Sequence, residues 1–119
     1  MINQTEATGY LLHDLPELKD EFTGKEQPGS IYKTLQAFIR LTCRKVKEHN
    51  YQAAKQCFLL AHQLYMQGNF MVRGAVENIF VFSLDSIFRQ AREEHMEVRG
   101  LVPGSLYSAY MRQVMYPGC

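Results

Sequence analysis

Between Asn50 and Asn69 the chain reads NYQAAKQCFLLAHQLYMQGN, where Tyr51, Ala54, Phe58, Ala61 and Tyr65 recur at alternating steps of three and four. On an α-helix that spacing places them on one face. The two alanines let a second helix approach closely, and Phe58 fills the space beside them. Asn50 is placed to cap the start, Gly68 to end the helix in a left-handed conformation, and Asn69 to cap the next helix at once. The pattern predicts a helix packed between two others, and it carries no chemistry.

The same periodicity extends to both sides. Ser30 is an N-cap candidate for a helix from Ile31 to about Glu48, with Ile31, Leu35, Phe38, Ile39, Thr42 and Val46 inward. A third helix is predicted from Asn69 to about Glu94, with Gly74 as a weak point. Its middle, Ile79 to Phe82, is apolar on all sides, which suits either the central helix of a bundle or one that exposes a patch. A buried strand is excluded there, because helical spacing resumes with Leu84, Ile87, Phe88 and Ala91. Arg89 to Arg99 reads as a charged, solvated stretch. Gly100 to Ser105 makes a turn, and Ser105 caps a last helix with Leu106, Tyr110 and Val114 inward, closed by Pro117 and Gly118.

Residues 1–30 are less regular. Tyr10, Leu11, Leu12, Leu15, Leu18 and Phe22 predict a short helix or two, with Pro16 acceptable in a first turn, and Thr23 to Ser30 has the composition of a loop. The expected fold is all-α: a compact bundle of four to five helices joined by tight turns, with mostly antiparallel neighbours. One domain spans 1–119, and its helical core spans 31–116.

The bulk numbers fit this picture. A chain of 119 residues has room for one domain, and 46% hydrophobic with 21% charged residues is ordinary for a globular protein. A net charge of +1 argues against a nucleic-acid partner. No apolar run approaches a membrane span, and the first residues lack the basic start and apolar core of a signal peptide. No membrane partner and a cytoplasmic location are therefore expected. Cys43, Cys57 and Cys119 have no metal-site spacing. Cys43 and Cys57 lie symmetrically about the turn at Asn50, so antiparallel helices bring them to one level, as free thiols in a reducing compartment.

Candidate chemistry is sparse. Ser30 and Lys33 match the Ser-x-x-Lys pattern of serine acyl enzymes, but the companion motifs are absent and a capping serine explains the match. His13, His49, His62 and His95 are dispersed and pair with no cysteine or histidine at helical spacing. No phosphate-binding glycine loop, dinucleotide fingerprint or nucleophile elbow is present. Arg40, Arg44 and Lys47 share a stripe that reads as the wet face of the first long helix. The chain is expected to be no enzyme and to hold no cofactor and no metal.

The most partner-like composition lies in the third helix, at Phe80 and Phe82, and near the C-terminus, at Tyr107, Tyr110, Met111 and Met115. Leu106, Val114 and Tyr116 add to the latter, giving too many apolar positions for a single face. Tyrosine and methionine favour interaction surfaces. The reading is a non-enzymatic interaction module that binds another protein or a second copy of itself, of a self-associating, immunity or regulatory type. The alternative is a small-molecule pocket between helices lined by Tyr51, Phe58 and Phe82.

Asn50-Tyr51 followed by Ala54, Phe58 and Ala61 resembles the second helix of a tetratricopeptide repeat, with Phe38 and Leu41 at its first-helix positions. The resemblance covers residues 35–68. Thr42 and Lys45 replace the expected glycine and tyrosine, Met66 replaces the closing proline, and nothing recurs after Asn69. Repeat arrays need several copies to bury their faces, so the resemblance implies one repeat-like hairpin inside a closed bundle. Over a longer span, LPELKDEF, QLYMQGN and VENIFVFSL resemble a small all-helical family of unknown function from Bacteroidetes-type bacteria. That resemblance implies a bacterial source and carries over no site residues.

Overall fold

The structure, a computed structural model, describes residues 1–22 and 30–115. The predicted loop at 23–29, the closing Pro117 and Gly118, and Tyr116 and Cys119 lie outside the described residues. Among the described residues the chain is all-α, with seven α-helices rather than four to five. They are α1 Gln4–Asp14, α2 Ile31–Lys47, α3 Tyr51–Gln67, α4 Phe70–Ala75, α5 Leu84–Gln90, α6 His95–Arg99 and α7 Gly104–Met115. A 3-10 turn, Pro16–Glu21, follows α1 and begins with Pro16 in its first turn.

Caps explain most of the boundaries. The Asn3 side chain accepts from the Glu6 amide at 2.8 Å while the Asn3 amide donates to the Glu6 carboxylate at 3.1 Å, a reciprocal capping box that makes α1 a full helix. Ser30, Asn50 and Asn69 accept from the amides of Lys33, Ala53 and Val72 as expected of N-caps, whereas Ser105 lies inside α7, which begins at Gly104, and its hydroxyl meets His62 instead. Gly68 differs from expectation. Its φ of −70° is extended rather than left-handed. Glycine is needed for space: a Cβ there would fall inside van der Waals contact of the Leu64 carbonyl and the Val72 side chain. Ile2 uses the same tight turn. Its amide donates to the Gln67 carbonyl and its carbonyl accepts from the Asn69 amide, both at 2.8 Å, tying the N-terminus to the α3–α4 junction.

The expected third helix is one continuous column from α4 to α5, but it is not uniformly α. Val76–Phe80 forms a π-turn, closed by the Val81 amide donating to the Val76 carbonyl, and Val81–Ser83 forms a 3-10 turn. The buried positions supply the reason. Val72, Ala75 and Val76 are followed by Phe80, Val81 and Leu84, so the step from Val76 to Val81 is one residue longer than an α-helical turn. The wide turn absorbs that residue and keeps both groups facing the core. The column ends at Ala91, after which Arg92 turns left-handed (φ 53°), and the stretch read as merely solvated forms α6, with Val98 buried.

At the centre of the core, Phe80 stacks on Phe38 of α2 with ring centroids 5.1 Å apart and meets Phe58 of α3 edge-on at 6.2 Å. α2 is the hub, packing against α1, the 3-10 turn, α3, α4, the π-turn and α5. α3 buries two faces: Ala54, Phe58, Ala61 and Tyr65 on one, and Cys57, Leu60 and Leu64 beside them. The buried hydroxyls of Thr34 and Thr42 donate to the Ser30 and Phe38 carbonyls, so neither is left unsatisfied.

Two glycines test this account by urea denaturation. Gly68→Ala should destabilise the fold by about 1–3 kcal/mol, the cost of forcing atoms into a filled site. Gly74→Ala lies in a helix with open space around the new methyl group, and should stabilise by roughly 0.5–1 kcal/mol. Equal effects at the two positions would contradict the close approach at Gly68.

Candidate functional site

α7 runs antiparallel to the column. The Tyr110 hydroxyl donates to Asp85 at 2.5 Å, while further along α7 the Gln113 amide donates to the Glu77 carbonyl at 2.8 Å and Arg112 reaches the Glu77 carboxylate at 3.3 Å. Tyr110 also meets the Phe88 ring edge-on at 5.6 Å. On two antiparallel helices, equal rotations past the contact line point to the same side. Phe82 on the column therefore looks out on the same side as Tyr107, Met111 and Val114 on α7, and Val114 is exposed rather than inward as expected. Beyond Phe82 lies a shallow groove of about 320 Å³, lined by Gln36, Ile39, Asn78, Ile79, Phe82 and Ser83.

The six residues singled out for contact separate into two groups. Phe80 is fully buried at 0% exposure and Tyr110 is buried at 6%, so both belong to the interior and neither offers surface. Phe80 points inward because it lies one helical turn after the buried Val76, on the face that meets Phe38 of α2 and Phe58 of α3. Phe82 is 75% exposed and Met115 63%, while Tyr107 and Met111 are partly buried against the core. The alternative aromatic set is dispersed: Phe58 sits in the core, Tyr51 hydrogen-bonds Glu94, and Phe82 rims the groove. One exposed apolar group has no counterpart among the expected surfaces. Phe70 is 88% exposed at the first position of α4, close to the exposed Met66 and Met71.

A second locus is polar. Asp85, Phe88, Arg89, Arg92, His95 and Arg99 line a cleft of about 260 Å³ between α5 and α6. The Arg99 guanidinium lies over the Phe88 ring at 4.8 Å from its centroid and near the Tyr110 ring at 5.8 Å, a stacked and fixed position. The Tyr107 hydroxyl beside it helps hold its pKa above the usual range. Arg89 and Arg92 also line a wider cleft of about 750 Å³ with Lys47, His49, Gln90, Glu93 and Glu94. Helical spacing, Arg89, Arg92, then His95 and Arg99, is the sequence signal for this grouping.

Between the start of α3 and the turn that precedes α6, Tyr51 donates to Glu94 at 2.7 Å, and His49 in the α2–α3 turn lies 2.8 Å from the same carboxylate. The bond to Glu94 pushes the Tyr51 phenol up to about 12, and the bond from Tyr51 holds Glu94 below the usual carboxylate range. His49 and Arg92 are the two non-glycine residues with left-handed backbone among the described residues. Both border the wider cleft.

The remaining candidates serve the fold. Ser30 caps α2 through the Lys33 amide. Arg44 pairs with Glu21 and Lys45 with Glu17, each at 2.7 Å, and Arg40 donates to the Glu21 carbonyl at 2.7 Å, so Arg40 and Arg44 of the basic stripe are committed to the 3-10 turn while Lys47 borders the wider cleft. Cys43 and Cys57 are free thiols. Cys57 meets the Thr42 hydroxyl, and burial pushes its pKa up to about 11 and that of Cys43 above the usual range. His62 hydrogen-bonds Ser105 at 2.6 Å. Among the described residues no group of three His, Cys, Asp or Glu side chains is placed to hold a metal, and no helix is long and apolar enough to cross a membrane.

This architecture defines a small all-α bundle with two polar clefts and an apolar outer strip. A family model described as Domain of unknown function (DUF7674) matches residues 8–116, and the chain belongs to that family. No curated protein and no solved structure matches it.

Two expectations follow. Glu94 titrates lower in the folded state than in the unfolded one, so its contribution to stability is complete above the ordinary carboxylate range. That contribution is lost as pH falls through the lowered value. Tyr51→Phe should move the Glu94 midpoint upward in a carboxyl-detected NMR titration; an unmoved midpoint would contradict the assigned cause. Arg92→Gly should stabilise the protein by about 1 kcal/mol by relieving the left-handed strain, whereas Arg92→Ala should not, since alanine keeps the Cβ clash. Denaturant midpoints separate the two.

Proposed function

We propose that this chain is a non-enzymatic interaction module that docks another protein, or a second copy of itself, on the outer strip of the column and α7. The reading rests on Phe82, a large aromatic side chain left 75% exposed at the middle of that strip. Exposed apolar area of this kind favours burial by a partner. Ile39 and Ile79 flank it on the α2 side, and by helix geometry Met111 and Val114 flank it on the α7 side. The α2–α3 hairpin, tetratricopeptide-like in its spacing, serves as scaffold in this reading, because Ala54, Phe58 and Ala61 are all buried.

The test uses Phe82→Glu combined with Met111→Glu. Light scattering at high concentration should show a dimer for the natural chain and a folded monomer for the variant, with circular dichroism unchanged. If the natural chain is monomeric, a protein captured by it from its host should be lost with the variant. A monomeric chain whose captured proteins are the same with both forms would overturn the reading.

A further inference from the structure

The smaller polar cleft gathers three arginines, Arg89, Arg92 and Arg99, at one place on the surface. On α2, each clustered cation faces a carboxylate of the 3-10 turn: Arg44 with Glu21, and Lys45 with Glu17. Around the smaller cleft this matching is missing. Arg89, Arg92 and Arg99 form no ion pair among the described residues. The nearby carboxylates are directed elsewhere. Asp85 accepts the Tyr110 hydroxyl, and Glu94 is held by Tyr51 and His49. Like charges gathered around one cleft repel, so such a grouping costs stability unless an anion joins it.

The cleft is also prepared for an anion. Arg99 is fixed by the Phe88 and Tyr110 rings, and its Nε is buried without a partner. Arg92 stands where a left-handed turn favours glycine, so the backbone carries strain at a residue whose side chain lines both clefts. Guanidinium groups present planar forks that match tetrahedral oxyanions two bonds at a time, and His95 adds a ring nitrogen. Because Arg89 and Arg92 border both clefts, a group held between them continues into the wider one, where Gln90, Glu93 and Glu94 offer hydrogen-bond partners. Lys47 and His49 border this cleft as well, opposite its carboxylates, and such a mixed lining of donors and acceptors suits hydroxyl groups.

We propose that the paired clefts bind a small, hydroxyl-bearing phosphate monoester, with its phosphate among Arg89, Arg92, His95 and Arg99 and its hydroxyl-bearing body against Gln90, Glu93 and Glu94. This site is separate from the apolar strip, so either proposal stands or falls alone.

The experiment is an NMR titration of the full chain with inorganic phosphate and with glycerol phosphate, using glycerol and sodium chloride at matched ionic strength as controls. Both phosphates should give saturable shifts centred on residues 89–99, with glycerol phosphate binding more tightly than inorganic phosphate. The double variant Arg89→Gln with Arg92→Gln uses exposed side chains outside the core and should weaken binding by at least about tenfold, as expected for losing charge-assisted bidentate bonds. Arg92→Gly should weaken binding while raising the denaturation midpoint, which separates lost affinity from misfolding. Absence of saturable shifts, shifts reproduced by sodium chloride, or an affinity unchanged in the double variant would each overturn the site. Equal affinity for the two phosphates would overturn the role of the wider cleft.

Discussion

The contact between Phe80, Phe38 and Phe58 holds the bundle together. It joins the column, α2 and α3 at one point, and aromatic pairs of this kind contribute roughly 0.5–1.5 kcal/mol each beyond their buried area. Phe80 lies one helical turn after the buried Val76 and so shares its inward face. The π-turn over Val76–Phe80 acts one residue later, bringing Val81 back towards the face of Val76. Phe82 falls on the opposite side of the column and faces water.

The polar surface follows a similar division. Where cations stand opposite the 3-10 turn they are neutralised locally, and Glu17 is held below the usual carboxylate range chiefly by its hydrogen bond from Lys45. Where α5 gives way to α6, the left-handed Arg92 changes the direction of the chain and groups three arginines around one cleft. Local neutralisation supports the fold on one side. On the other, the charges remain available to a ligand.

Much of the architecture was legible in the residues. Ser30, Asn50 and Asn69 mark helix starts because their short polar side chains reach a free amide within the next turn, a local interaction independent of the rest of the fold. The inward faces of α2 and α3 follow from spacing for the same reason. Gly68 was a turn residue for a different cause than its type suggested: the close approach of Val72 to Leu64 is a packing fact, invisible in a list of neighbours along the chain. Phe80 and Phe82 looked equivalent, since both belong to an all-apolar run, and Tyr110 looked like a surface residue until Asp85, Phe88 and Arg99 surrounded it. The grouping of Arg89, Arg92, His95 and Arg99 had helical spacing, but the fate of the surrounding carboxylates could not be read from it.

By itself, the sequence determined the all-α class, the starts of the long helices and most of the buried positions, because these depend on periodicity and on contacts within one or two turns. Only the tertiary structure decided which aromatic residue of the column faces in. It also decided which helix is the hub and which arginines lack partners, because each depends on contacts between segments distant along the chain. Burial and charge pairing are properties of the assembled surface, and the order of residues alone does not contain them.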